Sequence, residues 1–185
     1  LYQLHNLGGG TAKTVFASII SRYQDPDGDL GISDEGWEIA AKFLGNAHNI
    51  ADGEDAVGSV IDGTYPMDEH WASGVLTEQK DRDYKFQIMT PDIGEPYVVE
   101  SLAISAGTKK YDTCVAFLNW LGSSDVQLDW SNNYGTIPCQ KEALDQVSDD
   151  IKELMETLKP QDLDWSFIAE NVDAWVEKAE LEYVQ

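Results

Sequence analysis

An α/β fold is the class this sequence predicts, and three observations carry it. Short apolar runs of strand length alternate with segments of helical period through the first two thirds of the chain. Cys114, Phe117, Leu118 and Leu121 fall at i, i+3, i+4 and i+7, the spacing of one buried helix face. The 185 residues, 42% of them hydrophobic, suffice for one domain or two small lobes with a real core. No internal repeat, low-complexity tract or long linker interrupts the pattern. The seam between lobes is expected near Pro91 to Ser101.

The elements follow in order. Leu7-Gly8-Gly9-Gly10-Thr11 leads into an amphipathic helix from Thr11 to Gln24, with Val15, Ile19 and Tyr23 on one face. The first N–H groups of such a helix lack backbone partners, and the helix dipole makes that end partly positive. A glycine run lets a ligand reach the bare backbone, so this end can take an anion. The plainer reading, a flexible loop with Thr11 as an ordinary N-cap, stands beside it. Asp25-Pro26-Asp27-Gly28-Asp29 reads as a solvated turn. Its composition resembles a calcium loop, but the spacing and closing Glu of an EF-hand are missing.

Ser33 is placed to cap a helix through Trp37, Ala40, Ala41 and Leu44. Asp52-Gly53-Glu54-Asp55 is a turn, and Ala56 to Ile61 reads as a short buried strand stopping at Asp62. Met67 to Lys80 is expected helical, Tyr84 to Met89 and Tyr97 to Ser105 extended, and Tyr111 to Leu121 helical with Gly122 closing it. Ser123-Ser124-Asp125 opens another helix, Tyr134-Gly135-Thr136-Ile137-Pro138 turns, and Lys141 to Leu158 holds one or two helices broken by Pro160. Trp165, Ile168, Val172, Trp175, Val176 and Ala179 mark a last amphipathic helix ending near Gln185, with Trp165 and Trp175 expected in the core.

Composition excludes several functions. The net charge is −22, with 34 acidic residues against 12 basic ones, and no cluster of Lys and Arg exists to meet nucleic acid or an anionic membrane surface. No run of about 18 apolar residues exists to form a transmembrane helix. The start Leu1-Tyr2-Gln3-Leu4-His5-Asn6 has no basic segment and no Met, which reads as a mature chain or one cut from something longer. Cys114 reads as a buried small hydrophobe, and spacing does not decide whether it pairs with Cys139.

A catalytic set is not legible. His5, His48 and His70 lack ligand spacing such as H-E-x-x-H. Asp68-Glu69-His70 sets two acids beside a histidine, but a helix would splay adjacent residues, so His70 reads as a surface residue. There is no G-x-S-x-G elbow, and the glycine run lacks the Gly-Lys-Ser/Thr of a phosphate loop. No catalytic residue, metal ligand or cofactor is assigned.

The order of the pieces is more informative than any one of them. A Gly-Thr loop opens a helix, a helix with Trp37 follows, and then come Asp52-Gly53-Glu54-Asp55-Ala56-Val57-Gly58 and Asp62. Val99 to Ile104, Phe117-Leu118-Asn119-Trp120-Leu121 and Asn133-Tyr134-Gly135-Thr136-Ile137-Pro138 complete the succession. It resembles the C-terminal part of type 2 periplasmic solute-binding proteins of ABC importers, in the iron(III), phosphonate and thiamine branch. The resemblance implies a second α/β lobe over residues 1–97, then a crossing strand and the helical return into the first lobe over 98–185.

It further implies binding of a small anionic or zwitterionic solute between two lobes, an ABC permease as partner, and a periplasmic or extracellular place, with a lipid anchor as one means of export. A fragment of such a protein is expected to dimerise or exchange strands to cover its exposed apolar surface. By the resemblance, Gly9, Gly10 and Thr11 match the loop that holds the anionic group, and Asp62 and Tyr65 match the cleft edge at the end of a strand. Asp62 as a turn cap, Tyr65 as packing before Pro66, and Tyr134 as a buried turn residue rather than a cleft residue remain open beside these roles.

Two departures matter. The stretch from Trp37 to Gly53 is short for the family. Gly63-Thr64-Tyr65 stands where iron(III) binders carry adjacent tyrosines, and a hard ion wants several anionic oxygens. Iron(III) transport is therefore a secondary alternative, as is a small α/β enzyme acting on a phosphorylated metabolite through the same loop.

Overall fold

In the computed structural model, which describes residues 1–184, the α/β class holds with few strands. β1 (Tyr2–Leu4) pairs in parallel with β3 (Ala47–Asn49), Gln3 lying opposite His48. A parallel pair needs a crossover. It is supplied by α1 (Gly10–Ile20), a hairpin arm β2 (Gln24–Asp29) and α2 (Asp34–Gly45). The other edge of β1 is also covered: the Gln3 N–H donates to Met67 C=O at 3.0 Å, and Gln3 bridges in parallel to Asp68.

Then follow α3 (Ala56–Ile61), α4 (Ala72–Arg82), α5 (Tyr111–Leu121), α6 (Ser124–Tyr134), α7 (Lys141–Leu144), α8 (Asp149–Thr157) and α9 (Trp165–Glu182). The chain divides into two compact units, Leu1–Trp71 with Gln161–Gln185 and Ala72–Pro160. The segment Pro91 to Ser101 thus runs inside the second unit.

The first unit has the larger core. Leu4, Phe16, Ile20, Ile32, Trp37 and Leu44 meet Ile168, Trp175, Val176 and Ala179 of α9. The buried positions of α9 recur at helical period, which is why this helix was legible. Asp164 starts it, accepting from the N–H groups of Ser166 and Phe167. Trp175 is fully buried and donates its Nε1–H to Leu30 C=O at 2.9 Å, so an apolar anchor also satisfies a turn carbonyl. Trp165, expected beside it, is 43% exposed because it sits at the first turn, before the buried stripe begins.

Several other expectations are corrected. The first helix ends at Ile20, tightens to a 3₁₀ turn over Ser21–Tyr23, and Asp25 to Asp29 forms the hairpin arm rather than the turn. The reversal is made by Leu30 and Gly31, both at positive φ. Ala56 to Ile61 is helix, not strand: Asp55 accepts the Gly58 N–H at 3.0 Å and caps it. A short apolar run does not distinguish the two, and the cap decides. A Cβ at Gly58 would lie 2.3 Å from the Asp55 carboxylate, so glycine lets this cap close.

In the second unit, Tyr84 to Met89 and Tyr97 to Ser105 are not strands. A strand exists only as part of a ladder, and among the described residues no partner lies alongside. Helix α5 forms where predicted but buries no residue, with Phe117 and Trp120 about half exposed. Cys114 is half-buried rather than buried, and both cysteines are free. The packed part of this unit is Ala143, Val147, Ile151 and Leu154, the last two on one face of α8. Gly135 ends α6 at φ +69°, a conformation that favours glycine.

The two tryptophans of α9 make a test. Trp175→Ala removes a fully buried ring and orphans the Leu30 carbonyl, and should cost about 3–5 kcal/mol in urea unfolding. Trp165→Ala should stay within about 0.5 kcal/mol of the parent. Equal losses would contradict this placement of the core.

Candidate functional site

The glycine loop leaves the carboxyl end of β1 and leads into α1. In parallel sheets that end faces open loops, and ligands settle there. Buried Leu7 anchors the loop that follows, while Gly8, Gly9 and Gly10 are exposed. Asn6 organises it: its side-chain oxygen accepts the Gly8 N–H at 2.7 Å, and its carbonyl accepts the Gly9 N–H at 2.8 Å. Gly9 is the N-cap of α1, extended at φ −77° and ψ 152°, and supplies no side-chain acceptor. No acidic residue occupies the first turn. Lys13 makes the first helical bond back to Gly9, so Gly10, Thr11 and Ala12 present N–H groups without an intrahelical acceptor. Thr11 is therefore inside the helix rather than its cap. A Cβ on Gly10 would meet nothing within 4 Å, so the space beside Gly10 is open, while Ala12 is buried.

Asp62 and Tyr65 belong to the same unit. Asp62 ends helix α3, not a strand, and its exposed carboxylate accepts the Thr64 N–H at 2.9 Å. Hydrogen bonds from the Thr64 side chain and backbone hold its carboxyl below the usual range. Tyr65 stacks on His48 of β3, ring centroids 4.6 Å apart and planes 13° from parallel. His48 is bonded in turn to Glu54 at 3.0 Å, and the same Glu54 oxygen accepts the Ala51 N–H at 2.8 Å. The Ala51 N–H first and His48 second hold the Glu54 carboxyl below its ordinary value. Tyr134 lies in the second unit at the end of α6. It is 58% exposed beside Trp130 rather than buried in a turn.

A further cluster was missed by the sequence reading. Residues 67–71 are not helical. The parallel bridge between Gln3 and Asp68 puts this segment at strand period, so Asp68 and His70 share a face instead of splaying. On β1 the same alternation sets His5 on the face of Gln3. His5 Nε2 lies 3.8 Å from Asp68 Oδ1, and His70 Nδ1 lies 3.5 Å from Asp68 Oδ2. One ligand-type atom from each of the three residues falls within 4.8 Å of the others. His70 is not on the surface: its side chain is 13% exposed, and Trp71 stacks on it at 4.2 Å.

Glu69 and Tyr2 take the alternate positions, away from that face. Burial and then the Asp68 carboxylate push Glu69 up to about 7, while burial and then Glu69 push Tyr2 above its usual value. His5 Nε2, Asp68 Oδ1 and both ring nitrogens of His70 are buried without a hydrogen-bond partner. Each such atom costs roughly 1–3 kcal/mol when left unmatched. The signal available in the sequence was Asp-x-His, which carries meaning only at strand period.

A profile described as "Bacterial extracellular solute-binding protein" matches residues 7–159. The chain is similar to the "Probable ABC transporter periplasmic-binding protein y4fP" of Sinorhizobium fredii, at 32% identity over 184 residues that cover 100% of this chain and 51% of the relative. It thus spans about half the length of the curated relative it matches. No solved structure matches the chain.

The Glu54 contacts predict a pH effect. A carboxylate whose folded pKa is depressed stabilises above its unfolded pKa, and that stability disappears as pH falls through the folded value. Melting temperature measured from neutral to acid pH should therefore fall less steeply for Glu54→Gln than for the parent. Parallel curves would show that the Ala51 and His48 contacts add no pH-dependent stability.

Proposed function

This chain belongs to the family of bacterial extracellular solute-binding proteins, and on that premise we propose that it is part of the solute-capturing component of an ABC transporter. The protein works outside the cytoplasmic membrane, in the periplasm or extracellular space. It takes up a small anionic or zwitterionic solute, a phosphonate or phosphate ester being the first choice, in the manner of the phosphonate and thiamine branch. Capture makes and breaks no bond. The solute bridges two lobes, its contacts favour the closed state, and the closed form docks on a membrane permease.

One observation carries the solute class. The amino end of α1 has a glycine cap with no side-chain acceptor, no acidic residue in its first turn, and open space over Gly10. Dipole and bare N–H groups together favour an anion there. By the family resemblance, Asp62, Tyr65 and Tyr134 are proposed as further solute contacts. An iron(III) centre is a poorer fit, since Tyr65 is single and already stacked on His48. Exposed Val98, Val99, Leu102, Phe117 and Trp120 support packing of further chain against the second unit.

A thermal-shift screen of the full-length protein against phosphate, phosphonates, sugar phosphates, thiamine, polyamines and iron(III) tests the reading. A solute at 100 times its Kd should add about 2.7 kcal/mol. Stabilisation confined to phosphonates or phosphate esters supports the proposal, and stabilisation by polyamines alone refutes it. Thr11→Asp gives a sharper check, because its two effects have opposite signs. A carboxylate in the first turn should raise stability by about 0.3–1 kcal/mol. The same charge should weaken anion binding about tenfold or more, roughly 1.4 kcal/mol. Unchanged affinity would remove α1 from the site.

A further inference from the structure

We propose that His5, Asp68 and His70 bind a divalent first-row transition ion of zinc-like preference, at a site independent of the anion-binding end of α1. The donor set is the first argument. Two imidazoles and one carboxylate suit zinc and its neighbours, whereas calcium and magnesium ask for oxygens throughout. Zinc bonds of about 2.0–2.2 Å in tetrahedral geometry set ligand atoms roughly 3.3–3.6 Å apart. Asp68 Oδ2 lies 3.5 Å from His70 Nδ1 and Asp68 Oδ1 lies 3.8 Å from His5 Nε2, and one ligand atom from each residue falls within 4.8 Å of the others, a spacing that small side-chain rotations would close onto an ion.

Burial is the second argument and is independent of the first. The Asp68 side chain is 9% exposed and its Oδ1 has no hydrogen-bond partner. The facing nitrogens of His5 and His70 are buried and unpartnered too. Three polar side chains converge without satisfying one another, as they would if a cation joined them. The three side chains are also held in place. His5 continues β1, Asp68 is bridged to Gln3 of that strand, and Trp71 holds the His70 ring flat at 4.2 Å. The His5 side chain, 38% exposed, leaves a way in for the ion. Three protein ligands leave a fourth position for water or another donor.

The test is zinc titration of the full-length protein carrying Cys114→Ser and Cys139→Ser, which keeps these two thiols out of the count. Calorimetry should show one zinc per chain, unmatched by magnesium or calcium, with affinity reduced 100-fold or more by His5→Gln or by His70→Gln. Cobalt(II) on the same protein should give the visible absorption of a four-coordinate site. In case a variant misfolds, imidazole nitrogen shifts of the parent protein should show His5 and His70 both responding to zinc. Weak multi-site binding that magnesium competes equally, or zinc binding that leaves both histidines unmoved, overturns the site. Run on chelator-treated protein, the anion screen reports separately, so failure of one proposal leaves the other standing or falling on its own result.

Discussion

Gln3 is the residue on which the first unit turns. Its side chain is 1% exposed, and its Nε2 donates to Ala56 C=O at 2.7 Å while its backbone N–H goes to Met67 C=O. On the opposite edge, Tyr2 donates to Asn46 and Leu4 accepts from Ile50, which completes the pairing with β3. A buried amide is tolerable only when its hydrogen bonds are made. The amide ties Ala56 to β1, the Gln3 N–H ties Met67, and the Tyr2 and Leu4 bonds set β3, so three chain segments are held in register around this residue. That register sets His5 against His70 and Asp68, places His48 where Tyr65 can stack, and releases the chain into the glycine loop at the carboxyl end of the strand.

Charge shapes the rest. A chain at −22 repels anions at long range, so an anion site here must be local and dipolar, close to bare amides. The field that opposes an anion favours a cation, and the Asp68 cluster lies in that field. At about 10 Å screening length in ordinary salt, each site answers mainly to its own neighbours. The cations present are largely committed: Lys178 pairs with Asp29 and Glu182 while covering the Trp37 ring, and Lys13 pairs with Asp173. These pairs are exposed and contribute little each.

What was legible followed the strength of local patterns. Helix α5 was readable from period alone, whereas in α9 and α2 period agrees with a side-chain cap, from Asp164 and Ser33. Residues 56–61 misled because a short, mostly apolar run fits either element until the Asp55 cap decides. The strands expected at 84–89 and 97–105 failed for want of a partner, which no local pattern reports. The uncapped amino end of α1 was visible as glycine and threonine, although Gly9 rather than Thr11 is the cap. The Asp68 and His70 pair was invisible because the residues were assigned helical period, and the bridge to Gln3 that gives them strand period is a contact across 65 positions of sequence.

Backbone amide shifts of Gly10, Thr11 and Ala12 in the full-length protein, followed by NMR through a titration with a simple phosphonate, bear most directly on the claim that bare helix amides hold the solute. The account predicts saturable shifts at these three amides, with Asn6 to Gly9 following as the loop settles. Saturable binding that leaves all three unmoved would contradict it.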